Sequence, residues 1–182
     1  MLRNLLILVL IFNCFFCFSQ NKKTLIKEGN SLYNDSSYNM AEMKYRKSLE
    51  KDQDYFNAAF NLADAIYKQN RFEESTSLFD ALKDNARNNE DLARINHNLG
   101  NSYLKENKLE QAIEEYKSSL RLNPNDEETR YNLAYAQKMK QQQDQQQDQQ
   151  QDQQQDQQQD QQQDQQQDQQ QDQQQDQQEE KK

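Results

Sequence analysis

The sequence predicts an all-α protein: a short solenoid of three helix–turn–helix repeats plus a C-terminal capping helix, followed by a low-complexity tail. Three observations carry this. A pattern of small and large apolar residues recurs at a spacing near 34 residues. The two glycines, Gly29 and Gly100, hold the same place in that pattern, and the single proline, Pro124, falls at the end of a repeat. Beyond Lys140 no apolar residue occurs, so nothing there contributes to a core.

The clearest unit is Ala93–Asp126, which reads ARINHNLGNSYLKENKLEQAIEEYKSSLRLNPND. Gly100 and Ala112 are small because the two helices of the pair approach there. Tyr103 and Tyr116 fill the space beside those approaches, and Pro124 stops the second helix. A glycine inside a helix costs roughly 1 kcal/mol against alanine, so keeping one there implies a packing reason. The same register gives a first repeat, Lys22–Tyr55, on Gly29, Leu32, Tyr38, Ala41 and Tyr45. It gives a second, Phe56–Asn89, on Leu62, Ala63, Ile66, Phe72, Ser75 and Phe79. Gly29 to Ala63 is 34 residues but Ala63 to Gly100 is 37. Three extra residues near Glu90-Asp91-Leu92 are therefore expected to lengthen the join between repeats.

Residues 127–140 restart the pattern with Leu133 and Ala134, and no second helix follows. A lone amphipathic helix of this kind covers the open apolar end of a stack. Asp126 suits its N-cap, and Glu127 and Glu128 favour its positive end. The two glutamates are ordinary capping rather than a catalytic carboxylate pair.

The first residues, MLRNLLILVLIFNCFFCFSQ, place Arg3 before an apolar run from Leu5 to Phe18 and end on Ser19. They read as a secretory signal peptide over 1–19, with an uncleaved anchor and a lipoprotein signal as alternatives. The run is short against the ~20 apolar residues a spanning helix needs. Export to the periplasm follows, without membrane insertion once the signal is cut. Both cysteines, Cys14 and Cys17, leave with it, which excludes disulfides, thiol catalysis and cysteine–metal sites together.

The formal net charge of −9 is uneven. Residues 20–140 hold 19 basic against 20 acidic side chains, whereas residues 141–182 hold 11 acids against two lysines. A near-neutral body with an acidic tail offers no basic stripe for nucleic acid. The tail is nine copies of Gln-Gln-Gln-Asp followed by Gln-Gln-Glu-Glu-Lys-Lys; disorder is expected with some fluctuating helix near Lys140, and a solvated continuation of the capping helix is the alternative, since glutamine tolerates helix. Aspartates scattered along such a chain make a poor metal site. His97 is the sole histidine, and no phosphate loop, zinc spacing or nucleophile elbow appears. No cofactor and no enzymatic activity are expected.

These repeats resemble tetratricopeptide repeats across residues 22–140. The resemblance implies a right-handed array whose first helices line a concave groove for a partner's peptide or helix. The groove positions fall on Asn30, Tyr33, Phe60, Asp64, Tyr67, Arg94, His97, Asn101 and, on the capping helix, Tyr131. One subfamily reads acidic C-termini through a two-carboxylate clamp. Asn30 and Asn61 match that clamp and Arg94 replaces a lysine, but Ile26 and Asn98 stand where two cations belong, so the clamp does not carry over.

A second resemblance covers most of the chain. The signal peptide, three repeats, the half-repeat NPNDEETRYNLAYAQ (Asn123–Gln137) and the long polar tail look like the BatC component of the Bat aerotolerance operon. That family implies a periplasmic adaptor working with membrane-anchored von Willebrand A-domain proteins in oxygen-stress tolerance. The glutamine-dominated tail, with two lysines, departs from the lysine-rich tails of that family. An envelope structural protein, with the array as anchor and the tail as spacer, is the alternative from another class.

Overall fold

A computed structural model describes residues 21–151, and all its regular elements are helical. In order they are α1 (Lys22–Asn34), α2 (Tyr38–Lys51), α3 (Phe56–Lys68), α4 (Phe72–Leu82), a 3-10 turn (Lys83–Asn85), α5 (Asn89–Lys105) and α6 (Leu109–Leu122). Residues 127–151 form α7. The chain divides into two units, one ending at Ala136 and one beginning at Gln137. The expectations for residues 1–19 and for 152–182 lie outside the described residues.

Each helix packs on the next, pairing α1 with α2, α3 with α4 and α5 with α6. The odd-numbered helices α1, α3 and α5 also touch in succession, so they make one layer and the even-numbered helices lie outside it.

Within each pair the turn is the same device. Ser36, Asn70 and Asn107 adopt left-handed backbone, with φ of 58, 61 and 59°. The following residues, Ser37, Arg71 and Lys108, donate back to the carbonyls of Leu32, Ile66 and Tyr103. This six-to-one closure satisfies the end of the first helix and reverses the chain. Asparagine tolerates left-handed backbone well, which accounts for two of the three turns.

The aromatic residue of each second helix then fills the pair. Tyr45, Phe79 and Tyr116 head the fully buried side chains by volume, and each burial is worth roughly 1.5–3 kcal/mol. A Cβ added to Gly29 would meet the Tyr45 ring at 2.5 Å, and one added to Gly100 would meet the Tyr116 ring at 2.5 Å. The glycines are there because a ring occupies the place of a side chain. In the middle pair Ala63 faces Phe79, within a cluster that also holds Phe60, Ile95 and Leu99.

The three extra residues are taken up by both a join and a helix. The join between α4 and α5, residues 83–88, is six residues long, whereas residues 52–55 between α2 and α3 are four. Helix α5 has 17 residues where α1 and α3 have 13. Asn88, with extended backbone, accepts from the Asp91 N–H at 2.8 Å and starts the helix early. Glu90 and Asp91 favour its first turn, and Arg87 holds Asp91 at 2.7 Å.

In the tail, residues 141–151 are helical. Lys140 Nζ adds an ion pair one turn on, 3.2 Å from Asp144.

The close approach gives a test by sign. Helix propensity alone makes Gly100→Ala stabilising by about 1 kcal/mol. The Tyr116 ring at that place makes it destabilising by about 1–3 kcal/mol, read as a lower urea midpoint. Adding Tyr116→Phe, which frees the ring from its hydroxyl anchor, should recover part of the loss.

Candidate partner-binding groove

The layer of odd-numbered helices is tied together by one recurring hydrogen-bond group. At the first joint, the Tyr45 hydroxyl donates to Asn30 Oδ1 at 2.9 Å, and Asn61 Nδ2 of the next repeat donates to the same oxygen at 2.9 Å. At the last joint the Tyr116 hydroxyl donates to Asn101 Oδ1 at 2.7 Å, and Asn132 Nδ2 donates there at 3.0 Å. Each trio links two helices of one repeat to the first helix of the following unit.

The middle joint lacks the trio. Asp64 stands where Asn30 and Asn101 stand, Phe79 replaces the tyrosine, and Asn98 donates instead to the Arg94 carbonyl of its own helix at 2.9 Å. Asp64 therefore loses both donors that the asparagines receive. The Tyr33 hydroxyl donates toward its carboxylate, while Lys68, Arg94 and His97 act on it from further away. Among the described residues no cation lies within ion-pair distance of it. Burial raises Asp64 above the ordinary carboxylate range despite those neighbours. Burial and the nearby Asp64 in turn raise Tyr33 and Tyr67, and push Tyr45 up to about 12.

Asp64 opens into a cavity of about 260 Å³ lined by Asn30, Tyr33, Asn34, Tyr45 and Asn61. A larger hollow, about 470 Å³, lies among the turns at Arg71, Glu74, Glu106 and Lys108. There Arg71 pairs with Glu74 and Lys108 with Glu106. The smaller cavity is the one that holds Asp64 of the unmade joint.

Family profiles for tetratricopeptide repeats match residues 26–90 and 100–141. The chain carries an array of tetratricopeptide repeats. Solved structures with the same fold include the first repeat domain of Spaghetti (RPAP3) bound to the HSP90 peptide SRMEEVD. It is 23% identical over 66% of this chain and 94% of that one, with a TM-score of 0.61. MamA from Desulfovibrio magneticus is 22% identical over 66% of each chain, with a TM-score of 0.61. The TPR2AB domain of yeast Sti1, in complex with pHSP90, is 22% identical over 68% of this chain and 48% of that one, TM-score 0.62. No curated protein matches the sequence.

The tetratricopeptide array sorts the predicted groove residues into two kinds. Asn30, Tyr33 and Asp64 share the cavity, and Tyr67 is half-buried within electrostatic reach of Asp64. Tyr131 is 71% exposed, and Tyr135 beside it on α7 is 49% exposed. Phe60 is not groove surface: it is 6% exposed, packed edge-on to Phe79 at 5.4 Å and covered by the Arg94 guanidinium at 4.3 Å. Its spacing on the helix could not separate those roles, because the ring lies between groove and core.

His97 and Asn101 belong to a closed network. Thr129 donates its hydroxyl to Asp126 at 2.7 Å, so its oxygen accepts from His97 Nδ1 at 2.6 Å. Asn101 Nδ2 donates to His97 Nε2 at 2.9 Å while its oxygen takes Tyr116 and Asn132. Every polar atom here is used to seat the first turns of α7, whose N-cap is Asp126. Burial pushes Asp126 up, but the Thr129 N–H and hydroxyl outweigh it and hold the carboxyl low. Among the described residues no cluster of His, Cys, Asp or Glu is placed to hold a metal ion. Among them, too, no helix is long and apolar enough to cross a membrane.

Asp64 makes a prediction with a definite sign. A carboxyl raised in the folded state binds more protons folded than unfolded in the window between its two pKa values. Stability then falls as pH rises through that window, and the full cost is present above it. Asp64→Asn should therefore raise the urea midpoint at neutral pH, and the advantage should vanish in acid below the unfolded carboxylate range. A less stable Asp64→Asn variant at neutral pH would show that the carboxylate is structurally paired.

Proposed function

We propose that the protein is an exported adaptor that takes a peptide segment of a partner into the groove of its tetratricopeptide array. The observation that carries this reading is the cavity at Asp64, where the repeating joint is left unmade and a carboxylate that receives only the Tyr33 hydroxyl faces a hollow. Natural proteins keep such costly groups where function needs them. Peptide binding by the similar Spaghetti domain supports the mode, although that domain's acidic peptide does not fit a groove with Ile26 and Asn98 at clamp positions. The signal-like N-terminus and the Bat-type layout support a place in the periplasm, in a membrane-associated complex with von Willebrand A-domain proteins.

The alternative, an envelope spacer, draws on the helical stretch 137–151, since a helix advances about 1.5 Å per residue. One experiment separates the two. The full chain is used as bait in envelope extracts beside a Tyr67→Ala/Tyr131→Ala variant and a chain ending at Lys140. The adaptor reading expects A-domain proteins with the first and third baits and at least about tenfold less with the second, as for lost aromatic anchors. Capture that survives the groove variant and fails with the shortened chain favours the spacer.

A further inference from the structure

We propose that the middle of the groove receives a lysine or arginine side chain of the bound peptide, paired with Asp64 inside the cavity lined by Asn30, Tyr33 and Asn61. This rests on the groove reading and specifies the chemistry of its ligand.

The three repeats supply an internal control. At the place of Asp64 the first and third repeats carry asparagine, each saturated by a tyrosine hydroxyl and a cross-joint amide. Packing of the array is thus met by asparagine, and the carboxylate is an addition at one joint. The two donors that the asparagines receive are absent at the same joint, since Phe79 has no hydroxyl and Asn98 is turned to Arg94 O, which leaves the Tyr33 hydroxyl donating to the carboxylate.

The surrounding chemistry favours a cation. Asn61 has given an amide hydrogen to Asn30, and Asn30 Oδ1 already accepts two hydrogens. The two nearby cations are engaged elsewhere, the Arg94 guanidinium over the Phe60 ring and the Lys68 ammonium 5.8 Å from the centre of the Tyr67 ring. Tyr33 and Tyr67 bring aromatic rings beside the carboxylate, and such rings favour a cation's apolar stem as well as its charge. A peptide carboxylate at this place would meet Asp64 as a like charge in a partly desolvated site, which is strongly unfavourable.

The test pans a phage-displayed library of short random linear peptides on the full chain at neutral pH. The selected peptides are then synthesised and measured against three proteins: the parent, Asp64→Asn, and Asn34→Trp, which fills the cavity from an exposed position. The proposal expects one basic residue common to the binders. Binding should weaken about tenfold or more on Asp64→Asn, and equally when that basic residue is changed to glutamine. Binders that lack a common base, or that ignore Asp64→Asn yet fail on Asn34→Trp, overturn the cation and leave the groove. Binders that ignore both variants, or no binders at all, overturn the groove reading and this inference with it.

Discussion

An aromatic ring lying against a glycine is the contact on which the array depends. Tyr45 on Gly29 and Tyr116 on Gly100 let the paired helices close until no side chain fits between them. The ring then does a second job, because its hydroxyl reaches the asparagine that follows each glycine. That asparagine takes another hydrogen bond from the next unit, so packing inside a repeat fixes the geometry between repeats. Pairing and stacking are one problem with one solution, used at both ends of the stack.

The middle repeat solves the same problem differently. Ala63 and Phe79 replace glycine and tyrosine, and the joint loses its hydroxyl. Buried bonding here comes from Ser75, which donates to Ala63 O at 3.0 Å and lies 3.3 Å from Ser102 across the joint. The added first turn of α5 accompanies this change. The freed position, facing the odd-numbered layer, carries Asp64. A fold that needed the same joint three times has made it twice and left a carboxylate in the remaining place, in contact with a hollow.

Much of this was legible in the sequence. The period, the glycines and the proline fix helix order and pairing, because each reflects a steric demand local to one repeat. Asn30 and Tyr33 on α1 and Asp64 on α3 hold the inward positions expected of two first helices, and the structure gathers them around one cavity. The burial of Phe60 and the bonding of His97 to Thr129 were not legible, because whether a ring on that face points to groove, core or joint depends on neighbours far along the chain. The hydrogen-bond trio was missed although its signal was present: aligning the repeats gives Asn30, Asp64, Asn101 in one column and Tyr45, Phe79, Tyr116 in another. Reading the two columns together shows donor and acceptor changing at once.

The claim that the middle joint is deliberately left unmade is tested most directly by making it. Ala63→Gly, Asp64→Asn and Phe79→Tyr together write the first and third repeats' contact into the second, and a urea titration at neutral pH reports the result. The account predicts a higher midpoint than the parent, with the new hydroxyl and amide completing a third trio and the buried charge gone. A midpoint unchanged or lower would mean that Asp64 and Phe79 are the array's own best packing at that joint, and that no stability is being withheld there for a ligand.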